Sequence, residues 1–86
     1  MYVICTYDVN EKHCAKVMKV LRKYLFHYQN SVFEGELTPK QFENVRNELN
    51  FVIGKDDSIM FYYTHNNKLV NKKEMNGQPR KRNIIE

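Results

Sequence analysis

The residue of this sequence with the clearest capacity for chemistry is Asp8, which follows the apolar run from Tyr2 to Tyr7. That run predicts a buried central strand, so the Asp8 carboxylate is expected at the rim of a sheet. Mg²⁺ or Mn²⁺ keeps several waters and takes one or two carboxylates, with phosphate oxygens completing its shell. Two copies of Asp8 in a two-fold dimer could share one ion, which would activate water and polarise a phosphodiester. Strand-end aspartates also commonly act as turn or capping residues, so both roles stay open.

Other reactive residue types show no catalytic spacing. The three histidines, His13, His27 and His65, form no pair at metal-ligand spacing, and we interpret them as surface or core residues. Cys5 lies in an apolar run and Cys14 in a helical pattern, so both are expected to be small core residues. The sequence has neither a glycine-rich phosphate loop nor an arrangement typical of covalent catalysis. Apart from Asp8, no general acid or base is evident.

Charge is distributed unevenly along the chain. Residues 1–64 hold eight basic and eight acidic side chains, so the net charge of +4 arises wholly in residues 65–86. Lysines also recur at helical spacing early in the chain. Both groups are expected to attract a polyanion, although a charge run is equally often a solvated surface. The predicted nucleic-acid contacts are Lys12, Lys16, Lys19, Lys23, Arg80, Lys81 and Arg82.

Two helices are predicted between the strands. The first covers about residues 11–25, with Asn10 as N-cap and an apolar stripe opposite the lysines. The second starts at Thr38-Pro39-Lys40-Gln41, where Thr38 is the cap, Pro39 takes the first helical position and Gln41 closes a capping box. Gly54 is expected to end this helix in a left-handed conformation, before the charged turn Lys55-Asp56-Asp57.

Between and after the helices, the sequence predicts further strands. Residues 26–37 favour one bent strand or a tight strand pair, with Gln29, Ser31 and Phe33 on one face and Phe33 in the core. Residues 59–63 predict a second buried strand, in which Tyr62 and Tyr63 are expected to be core. The closing Ile84 and Ile85 have no local core to join and are expected to add as a strand to another sheet edge.

The order of these elements predicts an α+β fold, a ferredoxin-like βαββαβ sandwich with both helices on one face of an antiparallel sheet. We expect residues 1–64 to form this domain and residues 65–86 to form a basic C-terminal extension that ends in an extra strand. The second sheet face lacks a cover from the same chain, and a chain of 86 residues buries only roughly 60% of its surface. A homodimer through the sheet faces is therefore expected. No apolar run could span a bilayer or form a signal peptide, so a cytoplasmic protein is expected.

Three stretches together resemble one known family. They are Tyr2-Val3-Ile4-Cys5-Thr6-Tyr7-Asp8-Val9, the helical Lys16-Val17 and Lys23-Tyr24 pairs, and Gln29-Asn30-Ser31-Val32-Phe33-Glu34-Gly35-Glu36-Leu37-Thr38. This combination resembles the CRISPR-associated protein 2 family, the small subunit of the CRISPR spacer-acquisition complex of prokaryotic antiviral defence. The most specific part is the Gln-x-Ser-Val-Phe-Glu-Gly-x-Leu-Thr stretch, about twenty residues after the strand-end Tyr-Asp.

The resemblance carries several expectations. It implies the ferredoxin-like fold, a homodimer packed through its sheets, and a divalent-metal site made by Asp8 of both protomers, with Tyr7, Ser31 and Phe33 in support. It also implies binding of DNA or RNA, a metal-dependent endonuclease activity attributed to several members, and a bridging role between dimers of the integrase, CRISPR-associated protein 1. The closing Ile84-Ile85 resembles the terminal strand by which members contact the partner protomer or the integrase.

Two alternative functions stay open at this point. One is a stand-alone endoribonuclease toxin of the virulence-associated protein D type, which shares the fold and the strand-end carboxylate. The other is a non-enzymatic RNA-binding module whose sheet tyrosines, Tyr62 and Tyr63, stack on bases. Whether the chain is an enzyme is not decided by its residues, and the resemblance alone favours a hydrolase.

Overall fold

A computed structural model describes residues 1–65 and contains six elements of secondary structure. They are β1 (Tyr2–Asp8), α1 (Glu11–Arg22), β2 (Phe26–Gln29), β3 (Val32–Glu36), α2 (Pro39–Asn50) and β4 (Ser58–Thr64). The strands form one antiparallel sheet in the order β2-β3-β1-β4. This is the predicted ferredoxin-like α+β fold, which is confirmed. The predicted C-terminal strand lies outside the described residues, and the domain boundary at residue 64 stays a prediction.

Both helices pack on one face of the sheet, because their apolar stripes and alternate residues of the central strands form one buried cluster. β1 contributes Val3 and Cys5, both fully buried, as the prediction of a buried central strand requires. Cys14 is only half-buried and lies outside this cluster, so its assignment to the core was wrong. The remaining members of the cluster are Val17, Val20, Leu21, Leu25, Phe33, Leu37, Phe42, Val45 and Leu49.

α1 begins as predicted and ends earlier than predicted. The Asn10 side chain accepts a hydrogen bond from the amide of Lys12, which confirms the N-cap. The helix stops at Arg22, although the apolar stripe continues to Leu25. Leu25 is still buried, and its amide still bonds to the carbonyl oxygen of Leu21. The chain must leave the helix there because β2 starts at the next residue.

Of the two arrangements predicted for residues 26–37, the tight strand pair is the one observed. β2 and β3 are joined by a two-residue turn at Asn30 and Ser31, and Asn30 has a φ of 41°. Asn is among the few residue types that tolerate this left-handed backbone, and it commonly occupies such hairpin turns. The turn therefore fixes how β2 folds back on β3.

The strand pair corrects one detail of the sequence prediction. A bulge between His27 and Gln29 shifts the register, so Gln29 lies opposite Val32 while His27 lies opposite Phe33. Gln29 and Phe33 consequently occupy opposite faces, and the expected common face was wrong because the bulge adds a residue to β2. Phe33 is fully buried in the core, as predicted, and the His27 ring stacks on it at 4.6 Å between ring centroids.

α2 also begins as predicted, with both hydrogen bonds of the capping box present between Thr38 and Gln41. Its end was predicted incorrectly. The helix stops at Asn50, its C-cap Phe51 is right-handed, and Gly54 does not adopt a left-handed conformation. Gly54 is instead required by packing, because a Cβ atom there would lie 2.9 Å from Cε1 of His13.

β4 exists where it was predicted but is not buried. It forms the outer strand of the sheet, and Met60, Tyr62 and Tyr63 are each half or more exposed. An apolar run alone does not distinguish a central strand from an exposed edge strand, and for this reason the predicted burial of β4 was wrong. The exposed apolar surface it leaves is relevant to the functional site.

Candidate functional site

Asp8 is the last residue of β1 and is exposed, opposite Ser58 at the start of β4. Val3 and Cys5 point into the core beneath the helices. Side chains alternate along a strand, so Asp8 points to the other side of the sheet. Among the described residues, the Asp8 carboxylate has no hydrogen-bond or ion-pair partner. It is therefore available for a ligand that comes from outside the chain.

We call the side of the sheet that faces away from the helices the open face. It is formed by Tyr2, Ile4, Thr6 and Asp8 of β1 and by the residues that pair with them on β3 and β4. No helix or strand of residues 1–65 covers it. Large apolar side chains nevertheless lie on it: Phe26 is 80% exposed, and Met60 and Tyr62 are at least half exposed. Exposed large apolar side chains on one uncovered sheet face are typical of an interface.

The open face also carries acidic groups. The Tyr2 hydroxyl donates a 2.6 Å hydrogen bond to Oε1 of Glu34, and Glu36 lies opposite Tyr2 in the register. Burial, followed by the bond to Glu34, raises the pKa of Tyr2 above its usual value. Asp8 and Glu34 thus place carboxylates on this face, whereas the Glu36 carboxylate is paired with the N-terminal ammonium, whose nitrogen lies 3.3 Å from Oε2.

The residues around Asp8 can supply part of a shared metal site but not a complete one. Within residues 1–65, no group of three or more His, Cys, Asp or Glu side chains could hold a metal ion. One exposed carboxylate beside the Ser58 backbone provides a single hard oxygen ligand per chain. Mg²⁺ and Mn²⁺ accept one or two carboxylates when water and phosphate oxygens supply the rest. The donor set therefore fits such an ion if a second chain or a nucleic acid contributes ligands.

The predicted lysines lie on the outer surface of α1. Lys12, Lys16, Lys19 and Lys23 are all exposed, and they share one side of the helix because they are spaced three or four residues apart. Arg22 is exposed on the same helix and extends this basic surface. Because α1 covers the opposite side of the sheet from Asp8, the cations and the carboxylate occupy different faces of the chain.

The four lysines are not equivalent. Lys23 forms an ion pair with Glu48 of α2, and the Tyr24 hydroxyl donates to the other oxygen of the same carboxylate. These hydrogen bonds hold the pKa of Glu48 below its usual value, and the one from Lys23 contributes more than the one from Tyr24. Lys12, Lys16 and Lys19 have no ion pair within the described part of the chain. Lys23 is therefore partly committed to holding α1 against α2.

Tyr7, Ser31 and Phe33, which were predicted to support Asp8, have structural roles near the end of β1. Tyr7 packs against the core, its ring centroid lies 6.2 Å from that of Phe33, and burial raises its pKa. Ser31 accepts a 3.1 Å hydrogen bond at its backbone oxygen from the amide of Tyr7. Tyr7 and Phe33 therefore pack on the helix side of the sheet, and the Ser31 backbone holds the end of β1.

Sequence reasoning missed Asp57, which was interpreted as part of a charged turn. Its side chain is only 2% exposed. Oδ1 accepts from the amide of Asn10 at 2.7 Å, and Oδ2 accepts from the amide of Gly54 at 2.7 Å and from Nδ1 of His13 at 2.6 Å. The bonds from Gly54 and Asn10, with a smaller contribution from His13, hold the pKa of Asp57 below its usual value. The only local signal was an aspartate three residues after a glycine, a spacing that does not reveal the distant partners.

The predicted contacts of the C-terminal extension, Arg80, Lys81, Arg82, Ile84 and Ile85, lie outside the described residues. Among residues 1–65, no helix is both long and apolar enough to cross a membrane.

Comparison with known proteins agrees with this fold. A model of the family described as CRISPR associated protein Cas2 matches residues 1–72. The CRISPR-associated endoribonuclease Cas2 of Thermotoga maritima is 50% identical over 72 residues, which cover 83% of each chain. That of Dictyoglomus turgidum is 40% identical over 86 residues, or 99% of each chain. A crystal structure of a Cas2 protein superposes with a TM-score of 0.70 at 47% identity, covering 72% of this chain and 71% of that one.

Proposed function

The chain belongs to the CRISPR associated protein Cas2 family, and from that premise we propose that it is a homodimeric, nucleic-acid-binding adaptor of CRISPR adaptation. In this role it bridges two dimers of the integrase, CRISPR-associated protein 1, during spacer acquisition. Its relatives in Thermotoga maritima and Dictyoglomus turgidum carry the name endoribonuclease. We extend a metal-dependent endonuclease activity to this chain as the second part of the proposal.

The observation that carries the proposal is the position of Asp8 on the same open face as Phe26, Met60 and Tyr62. Burial of exposed aromatic and thioether side chains favours association, and in an isologous contact a side chain that lies close to the two-fold axis meets its own copy. We propose a dimer through the open face whose two-fold axis passes near the end of β1, so that the apolar residues are buried and the two Asp8 carboxylates lie close together. The same contact supplies the cover that the second sheet face lacks.

For the hydrolytic part of the proposal, Asp8 from each protomer would hold one Mg²⁺ or Mn²⁺ ion. The ion, when bound, supplies activation of water and polarisation of the phosphodiester. Asp8 contributes ligands and negative charge at that position. Tyr7 does not serve as a base, because its raised pKa keeps the hydroxyl protonated at neutral pH. Cleavage would therefore depend on the metal ion and the water it activates, and we expect slow turnover.

Nucleic acid binding is assigned to the outer surface of α1 rather than to the open face. Lys12, Lys16 and Lys19 are exposed and have no acidic partner within residues 1–65, so their charges are available to phosphates. The four strands of residues 1–65 contain no Lys or Arg, so they offer no basic side chain to a phosphate backbone on the open face. This charge separation supports an adaptor that carries the polymer on its flanks, and it argues against the alternative of an RNA-binding sheet.

The integrase contact is assigned to the end of the chain. Ile84 and Ile85 are β-branched and follow the basic Arg80, Lys81 and Arg82, a combination suited to strand addition beside a nucleic acid. Removal of residues 83–86 is expected to abolish the integrase complex while the dimer persists. Co-purification of the full-length and truncated chains with the integrase measures this.

One substitution separates the two parts of the proposal. In Asp8→Ala, Mg²⁺-dependent cleavage of single-stranded RNA and of duplex DNA should be lost, while binding of DNA and of the integrase should stay within about twofold of the unaltered protein, because neither involves this carboxylate. Asp56→Ala removes another exposed aspartate and is the matched control. Cleavage that persists in Asp8→Ala would refute Asp8 as the catalytic metal ligand, and no cleavage by the unaltered protein would refute the hydrolase. A purified chain that binds neither DNA nor integrase would refute the adaptor.

A further inference from the structure

A buried hydrogen-bonded cluster lies at the same end of the sheet as Asp8. We call Asp57, with its partners Asn10, His13 and Gly54, the Asp57 cluster. The Asp57 carboxylate accepts three hydrogen bonds of 2.6–2.7 Å and is almost completely buried. A carboxylate can only accept, so Nδ1 of His13 carries the proton in this contact. The three donors come from two distant segments: Asn10 and His13 lie at the start of α1, and Gly54 lies in the loop before β4.

The Asp57 cluster joins the two strand ends on which Asp8 depends. Asn10 is two residues after Asp8, and Asp57 directly precedes Ser58, which is the residue paired with Asp8. The amide of Asp57 also donates to the carbonyl oxygen of Gly54 at 3.1 Å, which closes the loop before β4. One carboxylate therefore holds the chain that leaves β1 against the chain that enters β4.

The position of Asp8 depends on the backbone around it, because no described residue forms a hydrogen bond or ion pair with its side chain. With no hydrogen bond or ion pair of its own there, the Asp8 carboxylate is placed only by the backbone at the end of β1. Metal ligands are normally oriented by surrounding hydrogen bonds, and loss of these bonds weakens metal binding even when the ligand is intact. The Asp57 cluster is the buried polar structure nearest in sequence to both Asp8 and Ser58.

We propose that Asp57 is a positioning residue for Asp8: it fixes the ends of β1 and β4 in register, so that the Asp8 carboxylate is preorganised to hold a divalent cation. This inference rests on the proposed metal-binding role of Asp8. It assigns to Asp57, His13 and Gly54 a role in metal affinity, although none of them would contact the ion.

Asp57→Asn tests the proposal with little change in shape. An amide keeps one acceptor oxygen but places an NH₂ group against a backbone N–H, so at least one bond of the cluster is lost. The measurement is Mn²⁺ binding by equilibrium dialysis, together with Mn²⁺-induced broadening of the amide NMR signals of Asp8 and Ser58. The expected dissociation constant is about tenfold higher than that of the unaltered protein. Asp56→Asn, the same change at the exposed neighbouring position, should shift it less than about twofold.

A second variant keeps the test decisive if Asp57→Asn fails to fold. Gly54→Ala keeps every carboxylate but puts a methyl group 2.9 Å from Cε1 of His13, so either the His13 ring that donates to Asp57 or the loop must shift. It should weaken Mn²⁺ binding in the same direction while the circular dichroism spectrum stays native.

The outcomes distinguish the proposal from the function on which it rests. Weaker Mn²⁺ binding in Asp57→Asn or Gly54→Ala, with normal binding in Asp56→Asn, supports the positioning role. If Asp8→Ala loses Mn²⁺ while folded Asp57→Asn and Gly54→Ala bind it as the unaltered protein does, the positioning role is refuted and the metal site stands. If the unaltered protein binds no Mn²⁺, the metal site itself is refuted.

Discussion

Substitution of Tyr62 by Ala should weaken the proposed dimer without harming the protomer. Tyr62 lies on the open face opposite Ile4 and is 57% exposed, so its ring contributes little to the fold of one chain. In a dimer through this face, the same ring would be covered by the partner. The perturbation therefore acts on association and leaves the core beneath the helices unchanged.

The size of the effect follows from the exposure of the ring and the symmetry of the contact. Complete burial of a large apolar side chain stabilises by about 1.5–3 kcal/mol, and somewhat more than half of the Tyr62 surface is left to be buried by a partner. Each residue occurs twice in a two-fold interface, so the substitution removes two tyrosine rings. Their loss should weaken the free energy of dimerisation by about 2–3 kcal/mol. The dimer dissociation constant should therefore rise about 30- to 150-fold.

Tyr63→Ala is a matched control. Tyr63 is the same residue type, is 56% exposed, and is the next residue along β4, but it points to the helix side, where its ring centroid lies 5.2 Å from that of Phe42. Sedimentation equilibrium of both variants measures the dissociation constants, and circular dichroism checks the fold. An unchanged constant for Tyr62→Ala, or an equal loss for Tyr63→Ala, would refute an interface on the open face.

Three further predictions concern charge, thiol reactivity and pH. Lys16→Ala should weaken DNA binding and lower its salt dependence more than Lys23→Ala, because Lys23 is already paired with a carboxylate on α2; equal effects in a salt titration would contradict this. Burial raises the pKa of Cys5 to about 12, so a thiol reagent at pH 8 should modify half-buried Cys14 and leave Cys5 unmodified until the protein unfolds. The pKa of Asp57 is lower in the folded protein than in the unfolded chain, where it is about 4. The ionised carboxylate therefore stabilises the fold at pH values above about 4, and this stabilisation is lost as the pH falls through the folded pKa. The difference in Tm between the unaltered protein and Asp57→Asn should therefore shrink below about pH 4, and a difference that is constant from pH 7 to pH 2.5 would contradict the assignment.

Features that depend on neighbours in sequence were predictable. The caps at Asn10 and Thr38 were identified because a cap and the amide it binds lie within three residues of each other. The burial of Val3 and Cys5 followed from an apolar run with no breaker. Once these elements were placed, the βαββαβ order and the ferredoxin-like sheet followed, because few topologies connect such elements through short loops.

Features that depend on distant partners were not predictable. Gly54 resembles a helix terminator, but its need for a small residue comes from His13, on another helix. Asp57 resembles a solvated turn residue, but its bonds to Asn10 and His13 span more than forty positions. The exposure of Tyr62 likewise depends on where β4 lies in the sheet, since the same apolar run suits a central strand and an edge strand. In each case the local pattern was compatible with two environments, and tertiary contacts selected one.

The stoichiometry of Mn²⁺ binding tests the central claim most directly. If two chains meet through the open face and share an ion through Asp8, equilibrium dialysis of the dimer should give one Mn²⁺ for every two chains, and Asp8→Ala should bind none. One ion for each chain, or unchanged binding by Asp8→Ala, would contradict a metal site shared by the two carboxylates.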